Sequence, residues 1–137
     1  MSEKTMRQRV VKALKPLDAI SVENAVGAGT PDVNYVEGWI ELKQMEQWPS
    51  RGGPLRVPHF KPHQRVWLRR RWKKGGAAYM LLQVKAEWFL LAGDTAAACL
   101  GEATAATLQN LSLHYWPNGL IAEELVKCLG ERIGCPS

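Results

Sequence analysis

The sequence predicts an α/β domain of the α+β type, in which a mixed central sheet is flanked by helices. Helical and strand patterns follow one another in the order α-β-β-β-α-β-β, and further helical patterns come after them. With 137 residues, 46% of them hydrophobic, the chain is long enough for one core. We therefore expect a single domain over residues 1–137.

The N-terminal elements follow from apolar spacing. Residues 3–15 carry an apolar stripe at helical intervals and end at Pro16, which predicts a helix. The segment "DAISVENA" alternates apolar and polar residues, which predicts a half-buried strand. The segments "PDVNYV" and "WIELKQ" are separated only by "EG", so they predict a hairpin.

In the middle of the chain, prolines and glycines indicate where a loop and a helix begin and end. Residues 45–60 contain several prolines and a Gly-Gly pair, which predicts a loop. Pro62 suits the first turn of a helix that runs to about Lys74 and stops at the next Gly-Gly pair. The apolar segments "AAYMLLQV" and "EWFLL" then predict two buried strands. Residues 1–92 hold all of these elements.

The remaining residues, 93–137, predict a helical extension. The chain is rich in alanine after Asp94, and either Asp94 or Thr95 is expected to cap a helix. A final helix is predicted over residues 120–129 from its apolar spacing. This extension would cover the sheet or form a subunit interface.

The positive charge is concentrated in one quarter of the chain. Nine of the eighteen basic residues, and none of the thirteen acidic ones, fall between Arg51 and Lys74. The rest of the chain therefore has nine basic and thirteen acidic residues, a balance of −4. A field concentrated in this way suits a polyanion such as nucleic acid, whereas a solvated helix face usually mixes both signs.

Composition also bears on location. No apolar run of about 18 residues predicts a membrane span, and the charged start does not resemble a secretory signal. The three cysteines form an odd set without metal-binding spacing, which favours reduced thiols. We therefore expect a cytoplasmic protein, of a bacterial cell or a phage-infected host.

Acidic residues converge on the predicted hairpin. In "WIELKQ", Glu41 and Lys43 share one face of the strand. The hairpin brings Asp32 alongside Glu41, so two carboxylates and an ammonium would meet at one spot. Paired carboxylates repel unless a cation neutralises them, and Mg²⁺ takes one or two protein carboxylates together with water and phosphate oxygens. This group predicts phosphodiester hydrolysis, although Glu-x-Lys alone is more typical of a surface ion pair.

Further polar residues fit the same site. Glu3 lies on the apolar stripe of the first helix, where a carboxylate is unexpected unless it faces a polar site; the alternative is an ion pair with Arg7. Glu23 competes with Glu3 as the third acid. Gln64 lies on the inward face of the second predicted helix and could hold a water molecule or a carboxylate.

Three motifs together resemble the PD-(D/E)xK nuclease superfamily, and within it the virus-type replication-repair nuclease (VRR-NUC) group. They are G-x-G-T-P-D from Gly27 to Asp32, E-x-K from Glu41 to Lys43, and Pro62-x-Gln64 at the start of a helix. The resemblance covers about two thirds of the chain, ending near residue 92. It implies a restriction-endonuclease-like αβββαβ core, so residues 1–92 would be the catalytic core.

The resemblance also implies an activity and a partner. The chain would be an endonuclease dependent on Mg²⁺, with Mn²⁺ as a substitute, acting on branched DNA such as a Holliday junction or a flap, and a homodimer is expected. Asp32, Glu41 and Glu3 would be metal ligands, with Lys43 and Gln64 as further catalytic residues. A restriction-type or general phage nuclease and a non-catalytic DNA-binding module are the alternatives.

Basic residues of the loop and the second helix would contact the DNA. Such contacts neutralise phosphates and fix the register of the protein without reading sequence. Not all of a consecutive arginine run can face one way, since successive helix residues are about 100° apart. The candidate residues are Arg51, Arg56, Lys61, Arg65, Arg69, Arg70 and Lys73.

Overall fold

The computed structural model describes residues 2–22 and 30–134, with side chains through Gly130. These residues form six strands and five α-helices, which confirms the predicted α+β class. No helix among them is long and apolar enough to cross a membrane. The helices are α1 (Glu3–Ala13), α2 (Pro62–Lys73), α3 (Gly93–Cys99), α4 (Ala105–Leu111) and α5 (Ala122–Gly134). The strands are β1 (Ile20–Ser21), β2 (Val33–Tyr35), β3 (Gly38–Met45), β4 (Ala77–Val84), β5 (Glu87–Ala92) and β6 (His114–Trp116).

The sheet is mixed and its strands lie in chain order, from β1 at one edge to β6 at the other. Strands β3 and β4 are parallel, and all other neighbouring pairs are antiparallel. A parallel pair needs a crossover connection, and α2 provides it. The order α1-β1-β2-β3-α2-β4 is the predicted αβββαβ core.

Two hydrophobic cores cover the two faces of the sheet. Helices α1 and α5 pack on one face, against side chains such as Ile40 and Leu42 of β3. Helices α2, α3 and α4 and part of the loop 46–61 pack on the other face, where Trp39 of β3 lies. Because side chains alternate along a strand, Glu41 and Lys43 share the α2 face with Trp39.

Two glycines allow backbones to approach closely beside this face. A Cβ atom on Gly38 would lie 2.0 Å from the carbonyl oxygen of Ala77, where β3 and β4 begin side by side. A Cβ atom on Gly93 would lie 2.6 Å from the carbonyl oxygen of Ala78 and 2.8 Å from that of Leu68. Any larger residue at either position would push β4 or α2 away from its neighbour.

The structure differs from the predictions in three places. Of the predicted half-buried strand "DAISVENA", the part up to Val22 is described; within it Ile20–Ser21 is a strand, and both residues are exposed at the sheet edge. The predicted cap at Asp94 or Thr95 is wrong, because the helix already begins at Gly93, with Ala92 as N-cap. The extension after residue 93 is not only helical, since His114–Trp116 adds strand β6 to the sheet.

Candidate active site

The hairpin register places Asp32 opposite Glu41. Val33 pairs with Ile40 and Tyr35 pairs with Gly38 around the two-residue turn. Continued by one residue, this register sets Asp32 across from Glu41, with both side chains on the α2 face of the sheet. The carboxylate of Asp32 accepts a hydrogen bond from the backbone nitrogen of Leu42 at 2.9 Å, which holds it against β3.

Glu41 and Lys43 are buried together. Glu41 is 1% exposed and Lys43 is 4% exposed. The Lys43 Nζ lies 3.0 Å from the Glu41 Oε2. On the neighbouring strand β4 they pair with Met80 and Leu82, which belong to the apolar core of that face. The ammonium and the carboxyl therefore have little contact with water.

The surroundings of Glu41 favour its neutral form. Burial is the largest cause, and the charge of Asp32 is the second; together they raise the pKa of Glu41 from 4.5 to about 8. Lys43 lowers this pKa by its charge and its hydrogen bond, but it does not cancel the effect of burial. A hydrogen bond between the two carboxyls is a smaller cause in the same direction, included in that value. Two carboxyls held this close in an apolar setting fit a site for a divalent cation, which would stabilise both as carboxylates.

Glu3 and Gln64 have other contacts in the structure. The Glu3 Oε2 lies 2.8 Å from the His59 Nε2, at the junction between the start of α1 and the loop before α2. The Gln64 Oε1 accepts from the backbone nitrogen of Lys61 at 2.8 Å and so caps α2. Over the described ranges, no group of three or more His, Cys, Asp or Glu side chains is arranged to hold a metal ion. Asp32 and Glu41 are the two predicted ligands that lie side by side.

Part of the predicted site lies outside the described residues. Glu23, the alternative third acid, belongs to residues 23–29, as do Gly27 and Gly29 of the G-x-G-T-P-D motif. The described part of the motif begins at Thr30, and it leads directly into Asp32.

Six of the seven predicted DNA contacts are exposed. They lie on the loop 46–61 and on the outer face of α2, where they are free of acidic neighbours in sequence. The six residues are Arg51, Arg56, Lys61, Arg69, Arg70 and Lys73. The loop 46–61 and α2 pack on the sheet face that carries Glu41, so these basic residues lie on the same side of the sheet as the buried carboxyl pair.

The seventh residue, Arg65, has a structural role. Its side chain is half-buried, donates to the carbonyl oxygen of Ala97 at 3.0 Å, and lies 4.4 Å above the Phe60 ring. Burial lowers the pKa of Arg65. These contacts join α2 to α3 and use one of the five N–H groups of the guanidinium, so a phosphate contact at Arg65 stays a prediction.

The loop 46–61 is anchored at Trp48. Its indole nitrogen donates to Glu87 of β5, and its ring packs edge-on against Phe89 at 5.7 Å. Glu87 also accepts from the Tyr115 hydroxyl at 2.5 Å, which ties β6 to the same point. Trp48 thus anchors the loop to the sheet by packing and by a hydrogen bond.

Sequence reasoning missed the partners of several of these residues. The pairing of Glu3 with His59 is one such contact. A second is Glu87, which the sequence did not indicate as the hydrogen-bond acceptor that Trp48 and Tyr115 share. Neither pairing leaves a signal in local spacing, since the partners are far apart in the chain.

Comparison with known proteins supports the fold. The structure is similar to that of Hjc, a Holliday junction resolvase from the archaeal hyperthermophile Archaeoglobus fulgidus, with a TM-score of 0.53 and 18% sequence identity. The likeness covers 90% of this chain and 98% of that chain. No family model and no curated protein matches the sequence. The comparison confirms the predicted resolvase and restriction-endonuclease-like fold, while the VRR-NUC assignment stays a prediction.

Proposed function

We propose that this protein is a divalent-metal-dependent endonuclease that hydrolyses phosphodiester bonds in branched DNA. The observation that carries the proposal is the convergence of Asp32, Glu41 and Lys43 at two adjacent strands, on the side of the sheet where the basic loop and α2 pack. The resolvase-like fold supports it, because Hjc has this fold and acts on Holliday junctions.

In this proposal the carboxylates of Asp32 and Glu41 would hold the cation. When bound, a divalent cation polarises the scissile phosphate and lowers the pKa of water. The backbone of Leu42 fixes Asp32, and the flanking apolar residues keep bulk water away from Glu41. Rigid placement of this kind lowers the barrier because no reorganisation is needed during the reaction.

Lys43 would act on the reacting phosphate. Its ammonium is held by Glu41 and cannot turn to solvent, since Lys43 is 4% exposed. From this position it would orient the attacking water and stabilise negative charge that develops on the phosphate oxygens. The exposed arginines and lysines would bind phosphates on either side and hold the DNA in register.

Cleavage of a synthetic four-way junction tests the proposal. The purified protein is incubated with the junction, and with a linear duplex of the same arms, in Mg²⁺, Mn²⁺ or EDTA. We expect metal-dependent cutting of the junction, and a loss of at least about a hundredfold in Asp32→Asn and in Lys43→Gln, while DNA binding persists.

Lys127→Gln is the matched control, because Lys127 is exposed on α5. Its cutting rate should equal that of the wild type. Binding without cutting in any metal would identify a DNA-binding module instead. Cutting that survives both Asp32→Asn and Lys43→Gln would place the active site elsewhere.

A further inference from the structure

A second cluster of reactive side chains lies between the edge strand β6 and helix α5. Glu124 and Cys128 are four residues apart on α5, so they lie on the same side of the helix. His114, at the start of β6, fits between them. Its Nε2 lies 3.2 Å from the Glu124 Oε1, and its Nδ1 lies 3.7 Å from the Cys128 Sγ.

The imidazole of His114 is fixed in place by further contacts. Its ring stacks against that of Trp116, with centroids 4.3 Å apart. The Trp116 Nε1 donates to the same Glu124 oxygen at 2.8 Å, which holds the carboxylate next to the His114 Nε2. Strand β6 and helix α5 thus position all three groups.

The groups that face the two ring nitrogens decide where the proton of a neutral His114 lies. A carboxylate only accepts hydrogen bonds, so the nitrogen that faces Glu124, Nε2, carries the hydrogen. The other nitrogen, Nδ1, then has the lone pair, and it faces the thiol of Cys128. The order is thiol, base and orienting acid, the arrangement by which proteins activate a nucleophile.

We infer that Cys128 is a nucleophilic thiol, activated by His114 and Glu124, that exchanges with small-molecule disulfides. The thiol proton passes to the His114 Nδ1, and Glu124 stabilises the resulting imidazolium. The thiolate then attacks one sulfur of the disulfide; the old sulfur–sulfur bond breaks as the new one forms. The leaving thiolate takes the proton from the imidazolium, so the product is a mixed disulfide on Cys128 plus one free small-molecule thiol.

The cluster is within reach of a small reagent. The side chains of His114 and Glu124 are 36% and 46% exposed, and Cys128 is half-buried. None of these residues belongs to the site at Asp32 and Glu41, so the inference does not depend on the proposed nuclease activity.

Cys99 provides an internal comparison. It is also half-buried on a helix, but burial raises the pKa of its thiol, and the charge of Arg65 only partly opposes this. An ordinary thiol is about 3% ionised at pH 7, so a thiol with its own base gains thiolate and reacts faster, even though each thiolate is less nucleophilic. Cys128 should therefore react about tenfold faster than Cys99.

The experiment follows the reaction of both thiols with dithiodipyridine, a small aromatic disulfide, at neutral pH. A Cys135→Ser background leaves two thiols, and mass spectrometry of peptides resolves the rate at each. His114→Phe retains a ring against Trp116 but removes the base, so it should slow Cys128 about tenfold and leave Cys99 unchanged.

Two further variants complete the test. Glu124→Gln leaves the imidazole in place, so it decides the question if His114→Phe does not fold; it should slow Cys128 by at least about threefold. Glu123→Gln, a change to the neighbouring exposed acid, is the control and should have no effect. The inference is overturned if Cys128 reacts no faster than Cys99, or if its rate is unchanged in the folded His114 and Glu124 variants.

Discussion

Replacing Glu41 with glutamine is expected to stabilise the metal-free protein at alkaline pH relative to the wild type. Glu41 is 1% exposed, and burial, followed by the charge of Asp32, raises its pKa from 4.5 to about 8. In the unfolded chain neither burial nor the charge of Asp32 acts on Glu41, so its pKa stays at the ordinary value of 4.5. Between pH 4.5 and about pH 8, Glu41 keeps its proton in the folded protein but has released it in the unfolded chain.

The sign and size of the effect follow from this difference. The stabilising contribution of the protonated carboxyl is complete below about pH 4.5, decreases as the pH rises, and is lost above about pH 8. Since one pH unit corresponds to about 1.4 kcal/mol, the whole interval corresponds to about 5 kcal/mol. Glutamine is neutral and of similar size but does not titrate. The free energy of unfolding of the variant therefore does not decrease in this way as the pH rises.

Urea unfolding in EDTA, from about pH 5 to about pH 9, measures the difference. The free energy of unfolding of the wild type should fall relative to that of Glu41→Gln by about 4 kcal/mol across this range, since part of the change already occurs below pH 5. Glu46→Gln, an exposed change just beyond the end of the same strand, is the control and should give a constant difference. If the free energies of unfolding of the wild type and Glu41→Gln change in parallel with pH, the conclusion that burial raises the pKa of this carboxyl is refuted.

Three other predictions concern the fold and the assembly. Gly38→Ala should destabilise the protein by at least about 1–3 kcal/mol, because the new methyl group would lie 2.0 Å from the carbonyl oxygen of Ala77; equal urea midpoints would contradict this. The hydrogen bond from Tyr115 to Glu87 raises the pKa of Tyr115 to about 12, so Glu87→Gln should shift the tyrosine absorbance titration towards about pH 10. The same variant should lose about 1–3 kcal/mol of stability, since Trp48 also donates to Glu87. The expected homodimer is checked by light scattering, and a monomeric mass at micromolar concentration would contradict it.

Local patterns in the sequence predicted the elements that build the site. Pro62 and the Gly75-Gly76 pair set the limits of α2 because they act on the backbone of their own turn. Strict alternation put Glu41 and Lys43 on one face of β3, since a strand repeats every two residues. The short hairpin turn fixed the register that sets Asp32 opposite Glu41.

Weak or competing local signals led to the differences. The segment His114–Trp116 is short and has no strand-like alternation, and it becomes a strand because β5 offers an edge to pair with. Helix α3 starts at Gly93 and not at a capping residue, since only glycine fits against the backbones of Leu68 and Ala78. In both places tertiary contacts outweighed local preference.

The sequence by itself determined the order of helices and strands, the concentration of positive charge, and the shared face of Glu41 and Lys43, because each depends on residues close together in the chain. Only the tertiary structure decided the burial of Glu41, the pairing of Glu3 with His59, and the meeting of Cys128 with His114. These depend on which elements pack against one another. The spacing of residues that are close in the chain does not indicate a partner that is distant in sequence.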